Sequence, residues 1–311
     1  MRILYIAGAG RSGTTVVANA LNEVPGYFHA GELQSLWSIA ARGTLHTCGC
    51  GLEIRRCPVW SAVLGFPLSD GRSVAEAAPE AVRALETDRT PAALLRHVAR
   101  PGGPRPPAYR RFAGLAYQAV AAVSGARVIV DSSKGPQDAA SLTCIEGVEP
   151  FLVQVVRDPR AVAYSWLHPK AHLQRRGVVE STARWLQANR GADAVARLLP
   201  GRSLRVCYET FVSSPAPALR AILELLGDGD LSVPVEGTTL RLSGNHTLIG
   251  NPGRDTSGPV PLLLDRRWES GLPRWQALAI SGATMPLMRR YGCRVKARGT
   301  AHGGRGGGGA S

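Results

Sequence analysis

The chain has 311 residues, 44% of them hydrophobic, which suits one large α/β domain with an insertion. Lysine and arginine outnumber aspartate and glutamate by 37 to 23, a balance that favours anionic partners without identifying them. No stretch has the length of a membrane span, and the apolar start at residues 2–7 is too short for a secretory signal. Because six cysteines are sparse in a chain of this size, we expect reduced thiols and a cytoplasmic protein without a membrane partner.

The first predicted unit is a strand, a glycine-rich loop and a helix. Residues 2–7 are an apolar run of strand length, residues 8–15 read GAGRSGTT, and residues 16–24 have helical apolar periodicity. Residues 27–30 follow as a second strand. A loop in this position directs backbone N–H groups and the positive end of the helix dipole at one point, which predicts a phosphate or sulfate site.

The rest of the sheet is predicted from apolar runs further along the chain. The predicted strands are residues 127–131, 151–156 and 203–207, and the predicted helices are residues 160–167, 179–199 and 215–226. Residues 132–147 are long enough for a crossover helix. The alternating order predicts an α/β fold with a central, doubly wound parallel sheet.

Two segments differ in composition from this pattern. Residues 43–125 include a part rich in alanine, proline and arginine, and we predict a helical cap inserted over the site. Residues 296–311 are rich in glycine and cannot bury a core, so a disordered tail is expected. One domain is therefore predicted over residues 1–295.

The glycine-rich loop differs from the phosphate loop of nucleotide triphosphatases. Gly8 and Gly13 have the spacing of Gly-x-x-x-x-Gly-Lys-Ser/Thr, but Thr14 stands where the lysine is required. Arg11 supplies a cation inside the loop instead, and no downstream pair of carboxylates clearly indicates a magnesium site. The combination predicts transfer of an anionic group without a metal ion.

A second candidate for anion binding is the segment of residues 156–166, VRDPRAVAYSW. Arg157 and Ser165 are eight residues apart, so the arginine can end the strand while the serine lies two turns along the next helix. Both side chains can then face one phosphate.

Together these segments resemble sulfotransferases that use 3′-phosphoadenosine 5′-phosphosulfate (PAPS), including bacterial members and the carbohydrate and tyrosylprotein types. The resemblance implies a P-loop NTPase-like three-layer sandwich, with Arg157 and Ser165 at the 3′-phosphate. It further implies that Tyr208, in residues 206–212, approaches the adenine and that Arg254, in a mobile late loop, contacts a phosphate. Many members carry lysine where this chain has Arg11. The residues implied at the 5′-phosphosulfate are Gly10, Arg11, Ser12, Gly13, Thr14 and Thr15.

Transfer to a hydroxyl requires a base for its proton and cations for the charge on the bridging oxygen. Glu32 follows the second strand and matches by position the glutamate base of the tyrosylprotein and related members. His29 is the alternative base, because simpler cytosolic members use a histidine, although it lies within the predicted strand. Lys134 resembles the element that supports the transferring group, and Arg11 is the second catalytic cation.

Three cysteines lie close together at the start of the predicted cap. Cys48, Cys50 and Cys57, with His46, could form a structural zinc site, although their spacing matches no standard zinc motif. Reduced thiols packed around Trp60, or a disulfide, are the alternatives.

The predicted function is sulfuryl transfer from PAPS to a hydroxyl of a carbohydrate, a small molecule or a peptide. A nucleotide-dependent kinase is the first alternative, which Thr14 disfavours. A basic nucleic-acid-binding protein is the second, but it leaves the phosphate segments unexplained. We therefore do not expect a nucleic-acid partner.

Overall fold

The computed structural model describes residues 1–43, 46–86, 103–169, 174–251 and 253–293. Its central sheet has five parallel strands in the order β2-β3-β1-β4-β5. The strands are β1 (Arg2–Ala7), β2 (Tyr27–Gly31), β3 (Val128–Lys134), β4 (Glu149–Val156) and β5 (Ser203–Cys207). The predicted P-loop-like α/β fold with a central parallel sheet is confirmed.

Helices cover both faces of the sheet, and several of them begin at a proline. Proline has no backbone N–H, and in the first turn this loses no hydrogen bond, because an N–H there would have no partner within the helix. The helices before β4 are α1 (Thr14–Asn22), α2 (Leu36–Arg42), α3 (Pro58–Gly65), α4 (Val74–Glu86), α5 (Pro107–Ser124) and α6 (Pro136–Leu142). Those after it are α7 (Pro159–Leu167), α8 (Val178–Leu198), α9 (Tyr208–Ser213), α10 (Pro215–Leu225), α11 (Trp268–Gly271) and α12 (Arg274–Tyr291).

Alternate residues of the strands fill two hydrophobic cores, one on each face of the sheet. In β1, Ile3 and Tyr5 pack in one core with side chains from α2 to α5, whereas Leu4 and Ile6 pack in the other with α1 and α10. The described part of the segment predicted as a cap is thus a layer of the core beside the sheet. The domain bounds 1–295 stay a prediction, and residues 87–102 and the predicted tail 296–311 lie outside the described residues.

A small antiparallel sheet follows the main one and was not predicted, because its strands are too short for a recognisable pattern. It contains β6 (Val235–Glu236), β7 (Thr239–Leu242) and β8 (Gly258–Pro261). The late loop, residues 243–257, connects β7 to β8. It crosses the end of β2, where the Leu248 N–H donates to the Ala30 carbonyl at 3.0 Å. This contact places the late loop beside the end of the parallel sheet.

A disulfide joins Cys207, at the end of β5, to Cys293, just after α12. The expectation that all six cysteines are reduced is therefore wrong for this pair. The two positions are 86 residues apart, so their pairing depends on how α12 packs and has no signature in the local sequence. The cytoplasmic location inferred from cysteine usage stays a prediction. Within the described ranges, no helix combines the length and apolar character needed to cross a membrane.

Candidate active site

The glycine-rich loop connects β1 to α1 and is closely covered by aromatic side chains. Gly13 has a φ of 88°, and a Cβ there would lie 2.3 Å from the ring of Tyr208. A Cβ on Gly10 would lie 2.9 Å from Trp166. The loop can therefore pass beneath the two rings only because these positions lack side chains.

Polar atoms of the loop are buried without protein partners. Ser12 and Thr14 are 0% and 1% exposed, and across the described residues nothing hydrogen-bonds to Ser12 Oγ or Thr14 Oγ1. Nε of Arg157, at the end of β4, is likewise buried and has no hydrogen-bond partner among the described residues. Because buried polar atoms are nearly always paired in folded proteins, these donors at a helix N-terminus fit an anionic ligand such as a phosphosulfate.

Arg11 lies between the two segments that the sequence assigned to phosphate binding. Its Nε donates to Ser165 Oγ at 3.0 Å, and its Nη1 donates to Asn251 Oδ1 at 3.2 Å. Its backbone is left-handed, with a φ of 73°. Burial, and then the nearby Arg157 cation, lower the pKa of Arg11.

Arg157 lies at the end of β4 and joins the same group. Its Nη1 donates to the Arg11 carbonyl at 3.0 Å, and its guanidinium lies 4.9 Å from the centre of the Tyr208 ring. An ion pair of 3.5 Å connects it to Asp265. The two predicted phosphate segments and Tyr208 therefore meet at one end of the parallel sheet.

Asp158 and Glu209 fix the backbone around this site. The Asp158 carboxylate caps α7 by accepting from the Arg160 N–H at 2.8 Å. The Asp158 N–H in turn donates to Glu209 Oε1 at 2.9 Å. Burial raises the pKa of Glu209. These contacts hold the chain just after β4 against the start of α9, where Arg157 and Tyr208 lie.

Glu32 and Lys134 form an ion pair at the ends of two neighbouring strands. Glu32 follows β2 directly, and Lys134 is the last residue of β3. The Lys134 ammonium donates to Glu32 Oε1, and the two side chains are 15% and 25% exposed. Lys134 has a φ of 73°, so its backbone is also left-handed. The candidate base and the candidate supporting cation are thus adjacent and accessible to a small molecule.

His29 lies on β2 and is 1% exposed. Its Nδ1 is 3.1 Å from Asn19 Oδ1, and its Nε2 is 3.0 Å from Ser132 Oγ. Burial, and then the charge of Lys134, lower the pKa of His29 to about 3. Both ring nitrogens are therefore engaged inside the fold, a position that suits a structural role better than proton exchange with a substrate.

The late loop contacts the phosphate loop through Asn251, a residue that sequence reasoning did not select. Besides accepting from Arg11, Asn251 donates from Nδ2 to Thr15 Oγ1 at 3.3 Å. The Arg254 guanidinium instead donates to the carbonyls of Gly250 and Thr47, at 3.3 and 2.9 Å. Arg254 as a phosphate contact stays a prediction. The late-loop side chain that contacts the phosphate loop is the neutral amide of Asn251, for which the sequence gives no distinctive signal.

The three clustered cysteines meet in space, but with a different histidine from the one predicted. Cys48, Cys50 and Cys57 lie around His246 of the late loop. His46 contributes its backbone carbonyl, which accepts from the Ile54 N–H at 2.9 Å. The fourth member of the cluster could not be found from spacing, because it lies far along the chain.

The fold and the site define an α/β protein of the phosphate-loop type, with unpartnered buried hydroxyls and two arginines at the carboxyl ends of its strands. A model of the Sulfotransferase family matches residues 4–228. The chain therefore belongs to the sulfotransferase family and is a transferase enzyme of that class.

One solved sulfotransferase structure shares the fold, and two further structures are similar at TM-scores below 0.5. The sulfotransferase domain of the Synechococcus PCC 7002 olefin synthase is 20% identical, with a TM-score of 0.52, and the match covers 92% of this chain and 94% of that domain. The sulfotransferase domain from the curacin biosynthetic pathway is 16% identical, with a TM-score of 0.48 and coverage of 91% and 97%. A sulfotransferase from Mycobacterium avium is 13% identical, with a TM-score of 0.49 and coverage of 96% and 78%. A search of curated protein sequences found no match.

Proposed function

We propose that this sulfotransferase moves a sulfuryl group from PAPS to a hydroxyl group of a small-molecule or carbohydrate acceptor. The observation that carries the proposal is the meeting of Arg11, Ser165 and Arg157 with the unpartnered hydroxyls of Ser12 and Thr14. A donor with phosphate groups at both its 3′ and 5′ positions matches two adjacent sets of anion-binding groups. A ligand with one phosphate would use only one of them.

In this proposal the phosphate loop binds the 5′-phosphosulfate. Backbone N–H groups at the start of α1, with Ser12 and Thr14, donate to its oxygens. Arg157 and Ser165 bind the 3′-phosphate, and Tyr208, whose ring packs beside Gly13 and the Arg157 guanidinium, approaches the adenine. Arg11 lies between the two positions, so its charge stabilises the nucleotide at both ends.

The transfer step uses Glu32 and Lys134. The acceptor hydroxyl gives its proton to the Glu32 carboxylate while its oxygen bonds to sulfur. The bond between sulfur and the 5′-phosphate oxygen breaks, and adenosine 3′,5′-bisphosphate leaves. The Lys134 ammonium and the Arg11 guanidinium stabilise the negative charge that develops on the bridging oxygen. No step requires a metal ion.

We propose that the residues after Glu32 form the wall of the site that contacts the acceptor. Leu33, Gln34 and Trp37 line a small cavity together with Tyr109 and Tyr117 of α5. The Gln34 amide donates to the Ser133 carbonyl at 3.3 Å, which fixes this wall next to the end of β3. The cavity has room for about one water molecule and is also lined by the Asp131 carboxylate, so it is the aromatic wall beside Glu32, and not the cavity itself, that is proposed to face the acceptor.

The test is thermal unfolding of the full chain with three different ligands. Adenosine 3′,5′-bisphosphate at about 100 times its Kd should stabilise the protein by about 2.7 kcal/mol. ATP with magnesium and a random DNA duplex should not. Stabilisation by ATP and magnesium alone would support a kinase, and salt-dependent binding of DNA alone would support a nucleic-acid-binding protein. Incubation with radiolabelled PAPS and candidate hydroxyl compounds then identifies the acceptor class.

A further inference from the structure

The cysteine cluster lies outside the proposed transfer site and has the composition of a metal centre. The Sγ atoms of Cys48, Cys50 and Cys57 and one ring nitrogen of His246 all lie within 4.8 Å of one another. Cys57 Sγ lies 3.3 Å from His246 Nδ1. Tetrahedral zinc holds its thiolate sulfurs about 3.8 Å apart, so small side-chain rotations would bring these four atoms around one ion.

A tight turn presents the first two cysteines side by side. The Gly51 N–H donates to the Cys48 carbonyl at 2.9 Å, and the Cys48 N–H donates to the Leu52 carbonyl at 2.8 Å. Gly51 has a φ of 84°, which a residue with a side chain rarely adopts. The turn therefore directs Cys48 and Cys50 toward one point, although they are separated by a single residue.

The other two members are held by separate elements. Cys57 is the residue before α3, and its side chain is fully buried. The His246 carbonyl accepts from Trp60 Nε1 at 2.6 Å, which fixes the backbone that carries the imidazole. Four ligands thus come from a turn, a helix start and the late loop, and each is positioned by contacts other than those within the cluster.

The backbone around the cluster is packed to keep these elements together. The Gly49 N–H donates to the Thr247 carbonyl at 3.0 Å. A Cβ on Gly49 would lie 2.0 Å from Asn245 Oδ1, so the turn and the late loop approach too closely for any other residue. The close contact is independent of the cysteines and supports a permanent junction rather than a chance grouping of thiols.

We infer that Cys48, Cys50, Cys57 and His246 bind a structural zinc ion. Three thiolates and one imidazole are a donor set that selects zinc among the common divalent metals. Four protein ligands complete the tetrahedron and leave no position for water or substrate, so the ion has no part in the transfer reaction. Its effect is to attach the late loop, with Asn251, to the start of the segment 43–125.

The test is the metal content of the full chain purified after expression with added zinc. Elemental analysis should find about one zinc per chain in the native protein, as expected of a single closed site. The matched control is Cys144→Ser, which removes an exposed free cysteine outside the cluster and should retain the metal. Cys57→Ser and His246→Ala should lose it. Retention of full zinc by both of these variants would overturn the assignment.

A second comparison avoids the risk that Cys57→Ser does not fold. His246→Cys preserves four zinc-binding side chains and should keep the ion, whereas His246→Ala should not. In cobalt-substituted native protein, intense visible bands of a tetrahedral thiolate site should appear and should weaken in His246→Ala. Native protein that takes up no stoichiometric zinc after reduction and anaerobic loading would refute the site. So would a disulfide within the cluster combined with no metal uptake once that disulfide is reduced.

These measurements do not depend on the identity of the sulfuryl donor. Failure of nucleotide binding would leave the zinc content unchanged, and absence of zinc would leave the phosphate-binding residues in place. The two proposals can therefore fail separately.

Discussion

Two groups of buried polar side chains lie on the parallel sheet and differ in how they are paired. In the phosphate loop, Ser12 Oγ and Thr14 Oγ1 are buried with no partner in the described part of the chain. Under the end of β2, the ring of His29 contacts both Asn19 and Ser132. The groups are equally inaccessible to water, yet the first has unused donors and the second has none.

The difference teaches that burial alone does not mark a functional site. Burying a hydroxyl without a partner costs stability, so a fold that retains such groups together with Arg11 is organised for a ligand. His29 belongs to the opposite case, since its neighbours satisfy it completely. The two candidate bases differ in the same way: Glu32 is partly exposed beside Lys134, whereas His29 is buried and fully paired. Glu32 is therefore the better candidate.

The largest effect is expected at Glu32, the proposed base, which pairs with Lys134. Glu32→Gln should reduce turnover by about 10² to 10⁴-fold, because the amide cannot accept the acceptor proton. Affinity for adenosine 3′,5′-bisphosphate should change little, since the phosphate-binding residues stay in place. Steady-state kinetics and calorimetric titration of the same preparations measure the two quantities, and full activity would exclude Glu32 as the base.

The lowered pKa of His29 should make the free energy of unfolding depend on pH. Its pKa is about 3 in the folded chain and about 6.5 when unfolded, so its neutral form stabilises the fold above pH 6.5. Below that pH the unfolded chain takes up a proton that the folded chain does not. The stability advantage of the native protein over His29→Gln should therefore shrink by about 1.4 kcal/mol per pH unit between pH 6.5 and 4.

Urea unfolding of both proteins across this pH range gives the measurement. Asp131, whose pKa burial raises to about 6, is present in both proteins and so largely cancels in the difference. A difference that stays constant with pH would show that His29 titrates normally in the folded state.

Arg157→Ala should weaken binding of adenosine 3′,5′-bisphosphate by about 10 to 150-fold, as expected for loss of a charge-assisted contact of about 1.5 to 3 kcal/mol. Arg184→Ala is the matched control, because Arg184 is exposed and pairs with Glu180 on the surface of α8. Equal affinities in the two variants would remove Arg157 from the nucleotide site.

Two serine variants compare the unpartnered hydroxyl of the phosphate loop directly with the paired hydroxyl beside His29. The expected changes in stability and affinity are the smallest of this series. Ser132→Ala leaves Nε2 of His29 without a partner and should lower the free energy of unfolding by about 1 to 3 kcal/mol. Ser12→Ala breaks no protein hydrogen bond, so stability should change by less than about 0.5 kcal/mol. Affinity for adenosine 3′,5′-bisphosphate should fall about tenfold in Ser12→Ala alone. The opposite pattern would mean that the roles of the two hydroxyls are reversed.

Local patterns made much of the fold predictable from sequence. The strand at residues 203–207 was predicted with its observed bounds, and the helix predicted at residues 160–167 is one residue longer in the structure, Pro159–Leu167. The phosphate loop was equally clear, because its glycines, Arg11 and hydroxyl residues are consecutive. These features depend on neighbours in the chain, which a single sequence displays directly.

Other features depend on contacts between distant segments and were missed. Asn251, His246 and the pairing of Cys207 with Cys293 all result from the folded path of the chain after β5. Arg254 was selected for its charge, and its role at a phosphate stays a prediction; its guanidinium donates to two backbone carbonyls, while its Nε is buried without a partner among the described residues. Charge in the sequence identifies the loop, whereas packing decides which side chain contacts the phosphate loop.

Arg11 and Lys134 are the two residues other than glycine with a positive φ in the described ranges. An L-residue in this conformation loses about 1 to 2 kcal/mol, which glycine would recover. Arg11→Gly should relieve this backbone strain, but it also removes the hydrogen bonds to Ser165 and Asn251. In the proposed mechanism both side chains are cations beside the transferring group, so a library selected for heat resistance should keep both positions fixed.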